Sequence, residues 1–379
     1  MLPETTGPRG AVASTHWLAT QAGMAMLDEG GNAFAAAAFV QQVVEPHLNG
    51  PGGDVPILLH RQGEPVRVIC GQGPMPLAAT PARFRDLGLA EVPGSGLLAA
   101  CVPGATSAWL KLLREYGTLH LADVLAPAIH YAEHGFPLLP KAAEMIEVLA
   151  PLFATEWPES GRTYLPGGKP PAAGARFHNP ALASTYRRLV AEAGTTGTRA
   201  TRVARAEEAF HTGFVAEAID KYLATAEVAD ATGHRNPGLL TGDDLASWRP
   251  QTEEPVTLEH HGLLVHKPGP WSQGPVFLQQ LACSPRSTWR RWAGGAPSTC
   301  TPSSRRPNSP SPTAKPGTAT PGTPTFRWTP FCRGPIPTGA ARCWATRRHR
   351  PCVRVPRTAA SRGSPTPPAP RCRTATRPG

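Results

Sequence analysis

The sequence GGNAFAAAAFVQQVVEPHLNGPGGDVPILL, residues 30–59, joins two glycine clusters, an alanine-rich segment and an apolar run. The first glycine pair is typical of a helix end, because glycine reaches the left-handed conformation at little steric cost. The alanine-rich segment predicts a helix that begins near Asn32 and ends before Pro46, with small side chains that let a neighbour approach closely.

The second glycine cluster predicts a tight structural loop, because three glycines and a proline within residues 49–53 disfavour regular structure. Four residues form this predicted loop around Pro51: Asn49, Gly50, Gly52 and Gly53. A phosphate-binding loop is not favoured, since neither Gly-Lys-Ser/Thr nor G-x-G-x-x-G is present. The loop leads into a predicted strand at residues 55–60, whose partner strand is predicted at residues 65–70.

The remaining periodicity predicts an α+β protein. Apolar spacing predicts helices near residues 16–29, 105–116, 121–134, 141–149, 181–193, 204–210 and 213–223. A second hairpin is predicted at residues 256–265, and residues 150–180, rich in Pro and Gly, predict a surface excursion. Helices beside hairpin-linked strands favour a layered α+β fold over repeated βαβ units.

Charge divides the chain into two predicted regions, 1–282 and 283–379. The net charge of +11 is the average of a body at −7, with 20 basic and 27 acidic residues, and a tail at +18 without Asp or Glu. From residue 284 onward there is no Leu and one Ile, so we expect a disordered, low-complexity tail.

Cysteine usage and apolar content indicate the environment. Two cysteines in the body do not form a disulfide framework, and six irregularly spaced ones in the tail do not form a zinc site. Neither a signal peptide nor a membrane-spanning run is visible, so we expect a cytoplasmic protein without a membrane partner.

The order of features in residues 30–59 resembles the opening of the gamma-glutamyltransferase family of N-terminal-nucleophile (Ntn) hydrolases. Further family landmarks follow in order at Pro103-Gly104-Ala105, at Phe210-His211-Thr212-Gly213 and at residues 240–245. The resemblance reaches Ser272-Gln273-Gly274, where the family has a Ser-Ser-Gly-Gly or Ser-Gln-Gly signature, and fades after Leu281.

This resemblance implies an Ntn-type αββα sandwich, incomplete because residues 1–282 match only the large-subunit region. Family members act on small amide or gamma-glutamyl substrates through a threonine whose freed amino group is the base, with no metal or organic cofactor. The family's motif of a threonine followed closely by Ser-Val-Val-Asp is absent from this chain. We therefore assign no catalytic residue, and expect the small subunit to be missing and the chain to be truncated and inactive.

The resemblance also implies four substrate-binding positions: Gln72, Ser272, Gln273 and Gly274. Gln72 stands where the family has an arginine that binds the gamma-glutamyl carboxylate. Glutamine lacks the charge and the bidentate geometry of arginine, a loss of about 1–3 kcal/mol. The alternative is that Gln72 is a loop residue that bonds its own backbone. A second departure is Ala35, where the family usually has aspartate.

These departures make the chain more similar to family branches that hydrolyse other amides, such as oxamate amidohydrolase-like or cephalosporin acylase-like members. No metal site is predicted, since His260, His261 and His266 lie on a predicted hairpin and lack the H-E-x-x-H arrangement. Two other function classes remain open: a noncatalytic binding protein on the large-subunit scaffold, and nucleic-acid binding through the basic tail, which we consider the weaker.

The tail composition also fits a GC-rich gene translated in the wrong frame. The codons of residues 323–330, TPTFRWTP, permit Asp-Pro-Asp-Phe-(Pro/Ser)-Val-Asp-Pro one base earlier, which resembles a family stretch expected at about this distance. We interpret residues 283–379 as out of frame, with a genuine Arg/Pro-rich tail as the alternative.

Resequencing the gene across codon 283 is expected to reveal a shifted frame. In the other frame, a threonine followed by Ser-Val-Val-Asp and then a Gly-Gly pair should appear beyond Leu281. An intact frame through the whole tail would contradict this interpretation and favour a genuine basic tail.

Overall fold

The structure, a computed structural model, describes residue 7 and residues 10–32 and 34–283, without the side chains of residues 34–36. The side chain of Ala35 and the predicted tail from residue 284 onward lie outside what is described. The domain boundary at residues 282 and 283 and the nature of the tail therefore stay predictions.

The described residues form helices and antiparallel strands, which confirms the α+β class. The helices are α1 (Trp17–Asp28), α2 (Phe34–Val44), α3 (Pro81–Asp86), α4 (Ala105–Tyr116), α5 (Leu121–His134), α6 (Pro140–Thr155), α7 (Pro158–Tyr164), α8 (Pro180–Ala193), α9 (Arg199–His211), α10 (Phe214–Leu223), α11 (Gly242–Ser247) and α12 (Gly274–Cys283). The strands are β1 (Val55–Leu59), β2 (Arg67–Gly71), β3 (Phe136–Pro137), β4 (Arg176–Phe177), β5 (Glu227–Ala229), β6 (Arg235–Pro237), β7 (Gln251–Glu253), β8 (Val256–His260) and β9 (Leu263–Lys267). None of these described helices has both the length and the apolar content that crossing a bilayer requires.

The largest sheet is β1-β2-β7, with both strand pairs antiparallel. The predicted first hairpin is present within one or two residues of its expected ends, and Ile57 lies opposite Ile69. Strand β7 was not predicted, because the three residues Gln251–Glu253 show no apolar alternation and pair with β2 from far along the chain. The second predicted hairpin is β8-β9.

The main core is helical and is built from α1, α2, α4, α5, α6, α8 and α9. Small residues let α1 and α2 approach closely. A Cβ built on Gly23 of α1 would lie only 3.2 Å from the Cβ of Ala37 of α2. Tyr186 of α8 is fully buried, and its hydroxyl donates to Oε1 of Gln42 at 2.6 Å.

Helix α4 separates this core from the sheet. On one side, Ala108 and Leu112 pack against Ile57 and Ile69 of the sheet. On the other side, Leu110 belongs to the helical core. Each fully buried aliphatic side chain of this kind contributes about 1.5–3 kcal/mol, so α4 is anchored from two directions.

Two local predictions were wrong. Ser14 and Thr15 precede α1 and are residue types that favour the N-cap, so the sequence predicts one of them as its cap. The cap is instead His16, whose Nδ1 accepts from the backbone N–H of Leu18 at 3.1 Å. Residues 150–180 are more than a surface excursion, because α6 continues to Thr155 and α7 and β4 follow. Three apolar residues of this segment are buried in the main core: Phe153, Leu165 and Phe177. The periodicity of the sequence alone did not indicate their burial.

Replacing Gly104 by alanine is expected to destabilise the protein by about 1–3 kcal/mol, as overpacking does. The backbone of Gly104 suits any residue (φ −107, ψ −27), but an added Cβ would collide with the carbonyl oxygen of Gly71. Urea unfolding measures the change. The matched control is Gly94→Ala, since a Cβ at Gly94 meets no atom within 4 Å. Equal midpoints for the two variants would show that this close approach is not required.

Candidate functional site

The glycine loop is held against the N-terminus of α4. The carbonyl oxygen of Gly53 accepts from the N–H groups of Gly104 (3.0 Å) and Ala105 (2.8 Å). The hydroxyl of Thr106 donates to the carbonyl oxygen of Pro51 at 3.1 Å. The first N–H groups of a helix lack partners within the helix, so the loop and α4 stabilise each other.

The glycine loop at the N-terminus of α4 contains all four residues of the predicted structural loop. Cβ atoms built on Gly50 and Gly52 would meet nothing within 4 Å, so both glycines face open space. The N–H of Asn49 donates to the carbonyl oxygen of Glu45 at 2.9 Å, which continues the end of α2 into the loop. The loop therefore presents bare backbone to its surroundings.

A cavity of about 850 Å³ opens beside this loop, and we call it the loop cavity. Its walls are Gly52 to Asp54, Gln72 and Gly73, residues 99–103, the start of α7 and one face of α10. Most of the lining surface is apolar, and the volume lies within the usual range for a small-molecule site.

Gln72 lines the loop cavity, directly after β2. It is exposed, and within the described part of the chain its side chain forms no hydrogen bond to its own backbone. The backbone carbonyl oxygen of Gln72 faces the thiol of Cys70, with 3.9 Å between the oxygen and Sγ. Gln72 therefore lies where a ligand in the loop cavity can reach it, and its binding role stays a prediction.

Ser272, Gln273 and Gly274 are not among the residues that line the loop cavity. The hydroxyl of Ser272 donates to the carbonyl oxygen of Gly269 at 3.0 Å and accepts from the N–H of Gly274, also at 3.0 Å. This turn starts α12, and a Cβ on Gly274 would collide with the carbonyl oxygen of Pro268. The structure thus gives these residues a local structural role and does not join them to Gln72.

A buried serine–histidine pair lies behind the cavity wall. Nδ1 of His211 lies 3.0 Å from the carbonyl oxygen of Leu245, which can only accept, so Nδ1 carries the proton. Nε2 then accepts from the hydroxyl of Ser107 at 2.7 Å. His211 is 0% exposed and Ser107 is 1% exposed, so no substrate reaches this pair and its role is structural.

This pair connects the elements around the loop cavity. Ser107 lies on α4, which holds the glycine loop, and His211 ends α9 just before α10. Leu245 lies on α11, where the carboxylate of Asp244 accepts from the N–H of Leu77 at 2.8 Å. Leu77 follows Gln72 and Gly73 of the cavity wall along the chain. These hydrogen bonds therefore connect α4, α9 and α11 with the wall that contains Gln72.

Burial keeps His211 neutral. The apolar surroundings disfavour the imidazolium, and the nearby Arg249 charge adds to this, so the pKa of His211 falls to about 4. His211 belongs to residues 210–213, a family landmark in the sequence. The hydrogen-bond partners of His211, Ser107 and Leu245, could not be found from the sequence.

A second, smaller cavity of about 320 Å³ shares Gly53 and Asp54 with the loop cavity. It is lined in part by Gln42 and His47, which sequence reasoning did not single out. Nε2 of Gln42 and Nδ1 of His47 are buried without a hydrogen-bond partner among the described residues. A cavity of this size and polarity accommodates water.

No group of three or more metal-ligating side chains occurs in the part of the chain that the structure describes. His266, one of the three histidines weighed from sequence, bonds Thr257 through Nδ1 at 2.8 Å. Residues 256–267 therefore act as a hairpin, and nothing in the described geometry assigns them a ligand.

A sequence profile of the gamma-glutamyltranspeptidase family matches residues 19–297. Similar proteins include the glutathione hydrolase-like YwrD proenzyme of Bacillus subtilis, 34% identical, over 73% of this chain and 48% of the relative. The solved structure of LmbA2991HD is 51% identical with a TM-score of 0.70, over 72% of this chain and 47% of that one. Cephalosporin acylase from Bacillus halodurans is 30% identical with a TM-score of 0.61, over 74% of this chain and 52% of that one.

These likenesses confirm the predicted Ntn-type fold. The chain spans about half the length of the curated relatives it matches. The region matched by the profile includes the glycine loop, Gln72, His211 and residues 272–274.

Acidification is expected to destabilise the protein through His211. The folded-state pKa of about 4 lies below the ordinary 6.5, so the stabilisation is complete above pH 6.5 and is lost as pH falls towards 4. The total loss is about 3 kcal/mol. Urea unfolding of the wild type and of His211→Asn between pH 7 and 4 measures it, and the stability of the variant should change less over this range.

The comparison with the variant is needed because a second group titrates in the same range. Burial raises the pKa of Glu207 to about 7, so acidification increases the stability contributed by Glu207 while it decreases that contributed by His211. His234→Asn, at an exposed histidine, is the matched control and should keep the wild-type dependence. Parallel curves for the wild type and His211→Asn would contradict the assignment.

Proposed function

Because the chain belongs to the gamma-glutamyltranspeptidase family, as its motifs predicted, we propose that its described part forms the substrate-binding half of an amide hydrolase or acyltransferase. The observation that carries this proposal is the loop cavity, where Gln72 and the glycine loop line one space beside α4. Its role is to bind and orient the amide, because positioning alone lowers the barrier for a group attacking from elsewhere.

The nucleophile of this reaction is proposed to lie outside the described residues. The hydroxyl of Ser107 already has a histidine partner, but it is buried and cannot meet a substrate. The resemblance assigns the nucleophile to a threonine in a small subunit, and the matched relative YwrD is a proenzyme about twice as long as the matched region. We propose that the catalytic half completes the loop cavity.

Exposed apolar surface supports a missing half. Leu263 of β9 is 69% exposed, and Leu264 is 65% exposed. Phe277 of α12, which packs near this hairpin, is 41% exposed. Leu263 and Leu264 are successive residues of one strand and face opposite sides of the hairpin, so both of its faces expose apolar side chains. Exposed apolar surface at this hairpin supports an interaction site. The described strands β1 and β7 also form the two edges of the main sheet, and edges are open to a further strand.

The tail that follows α12 does not suit this role, because residues 284–379 contain no leucine. We therefore propose that the chain as sequenced is a truncated, inactive form whose gene shifts frame near codon 283. A genuine tail on a noncatalytic scaffold is the alternative that resequencing separates from this proposal.

The substrate is proposed to be an amide other than a gamma-glutamyl compound. Gln72 cannot form the charged, bidentate pair that arginine makes with a carboxylate. The similarity to a cephalosporin acylase supports this branch of the family. Gln72 is then a neutral hydrogen-bonding residue for the acyl group.

The purified chain is expected to release no chromophore from a gamma-glutamyl anilide and to show no autocleavage on a denaturing gel. A gene with the restored frame should give two fragments and turn over amides. Substituting its new nucleophilic threonine by alanine is the control, and it should abolish both. Turnover by the 379-residue chain itself would overturn the proposal.

A further inference from the structure

The charges in the loop cavity are one-sided. Two charged side chains line it, Asp54 and Glu159, and both are acidic. No Lys, Arg or His is among the described lining residues. A cavity with apolar walls and one sign of charge concentrates the field and selects ligands of opposite charge.

The two acids are not equivalent. Glu159 forms an ion pair with Arg162, one turn along α7, which neutralises its charge. Asp54 is exposed, and within the described ranges its carboxylate forms no ion pair and accepts no hydrogen bond. Asp54 is therefore the charge that the cavity offers to a ligand.

The carboxylate of Asp54 acts on the same space as Gln72. Burial raises the pKa of the Cys101 thiol, and the negative charge of Asp54 raises it further. Burial likewise raises the pKa of Cys70, two residues before Gln72, and the Asp54 charge again contributes. Cys101 and Gln72 both line the loop cavity, so the field of Asp54 covers its interior.

The position of Asp54 is fixed by the backbone. It directly follows Gly53, whose carbonyl oxygen is held by two N–H groups of α4, and it precedes strand β1. Because this backbone is already anchored, binding a ligand at Asp54 requires little further ordering of the main chain, which favours specific recognition.

We propose that Asp54 is the specificity residue of the loop cavity and binds an ammonium group on an aliphatic amide substrate. This inference rests on the proposed function, because it names the substrate class of the same site. The aliphatic part of the substrate packs against Val102, Ile219 and Leu223, and its amide lies near Gln72. A substrate with a free carboxylate at this place is repelled, since like charges oppose each other.

Three probes with the same six-carbon chain test the charge preference: 6-aminohexanamide, hexanamide and the monoamide of adipic acid. Calorimetry or ligand-detected NMR on the 379-residue chain measures their Kd. The ammonium probe should bind roughly fivefold tighter than the neutral probe, the upper range for an exposed ion pair. The carboxylate probe should bind more weakly than both, and added salt should narrow the differences.

Asp54→Asn should remove the difference in affinity between the ammonium probe and hexanamide, because it removes the charge and keeps the shape of the side chain. The control Asp86→Asn removes the same net charge at an exposed site on α3, outside the cavity, and should keep the preference. A thermal melt first establishes that both variants fold like the wild type.

Equal binding of the three probes, tighter binding of the carboxylate, or a preference that survives Asp54→Asn would overturn the inference. Failure of the folded chain to bind any of the probes would overturn it as well. The binding experiments need no turnover, so their outcome is independent of the test of the proposed function. The proposed function fails if the 379-residue chain itself turns over amides. It also fails if the restored-frame protein neither cleaves itself nor hydrolyses any amide.

Discussion

The carbonyl oxygen of Gly53, held by two N–H groups at the start of α4, is the contact on which the arrangement of the site depends. A helix start has free donors and a glycine loop has free acceptors, so each satisfies groups that would otherwise need water. The geometry requires glycine at several positions, because Cβ atoms on Gly73 and Gly104 would collide with the backbone of residues 102 and 71. With these glycines, the end of β2, the glycine loop and α4 pack closely, and the loop cavity forms beside them.

The buried network around His211 fixes α4 relative to the other walls. A neutral imidazole that donates at Nδ1 and accepts at Nε2 joins two elements only in one tautomer, which makes the arrangement specific. Hydrogen bonds of this kind contribute about 0.5–1.5 kcal/mol each, whereas leaving a buried partner unpaired costs about 1–3 kcal/mol. The network therefore acts mainly by penalising other packings. It stabilises the cavity without taking part in chemistry, as the complete burial of both side chains requires.

The loop cavity combines a neutral hydrogen-bonding residue, Gln72, with the carboxylate of Asp54, which has no partner among the residues that the structure describes. Family members with an arginine at the position of Gln72 offer a carboxylate the opposite charge. In this chain the charged side chains that line the loop cavity are acidic instead, which supports the proposal of a different amide substrate. The exposed apolar surface at Leu263, Leu264 and Phe277 lies on elements that do not line the loop cavity, so the contact proposed for the catalytic half extends beyond that cavity.

The sequence by itself determined the α+β class, the first hairpin, the glycine loop and the family, because these depend on local periodicity and on glycines at fixed spacing. It also predicted a binding role for Gln72 and showed that the family's nucleophile motif is absent from the chain. Only the tertiary structure decided that Asp54 and Gln72 share a cavity, that Ser272 belongs to a helix start, and that Ser107 pairs with His211. These contacts join residues far apart in the chain, such as residues 107 and 211. Their formation depends on how α4, α9 and α11 pack, and no local pattern records that packing.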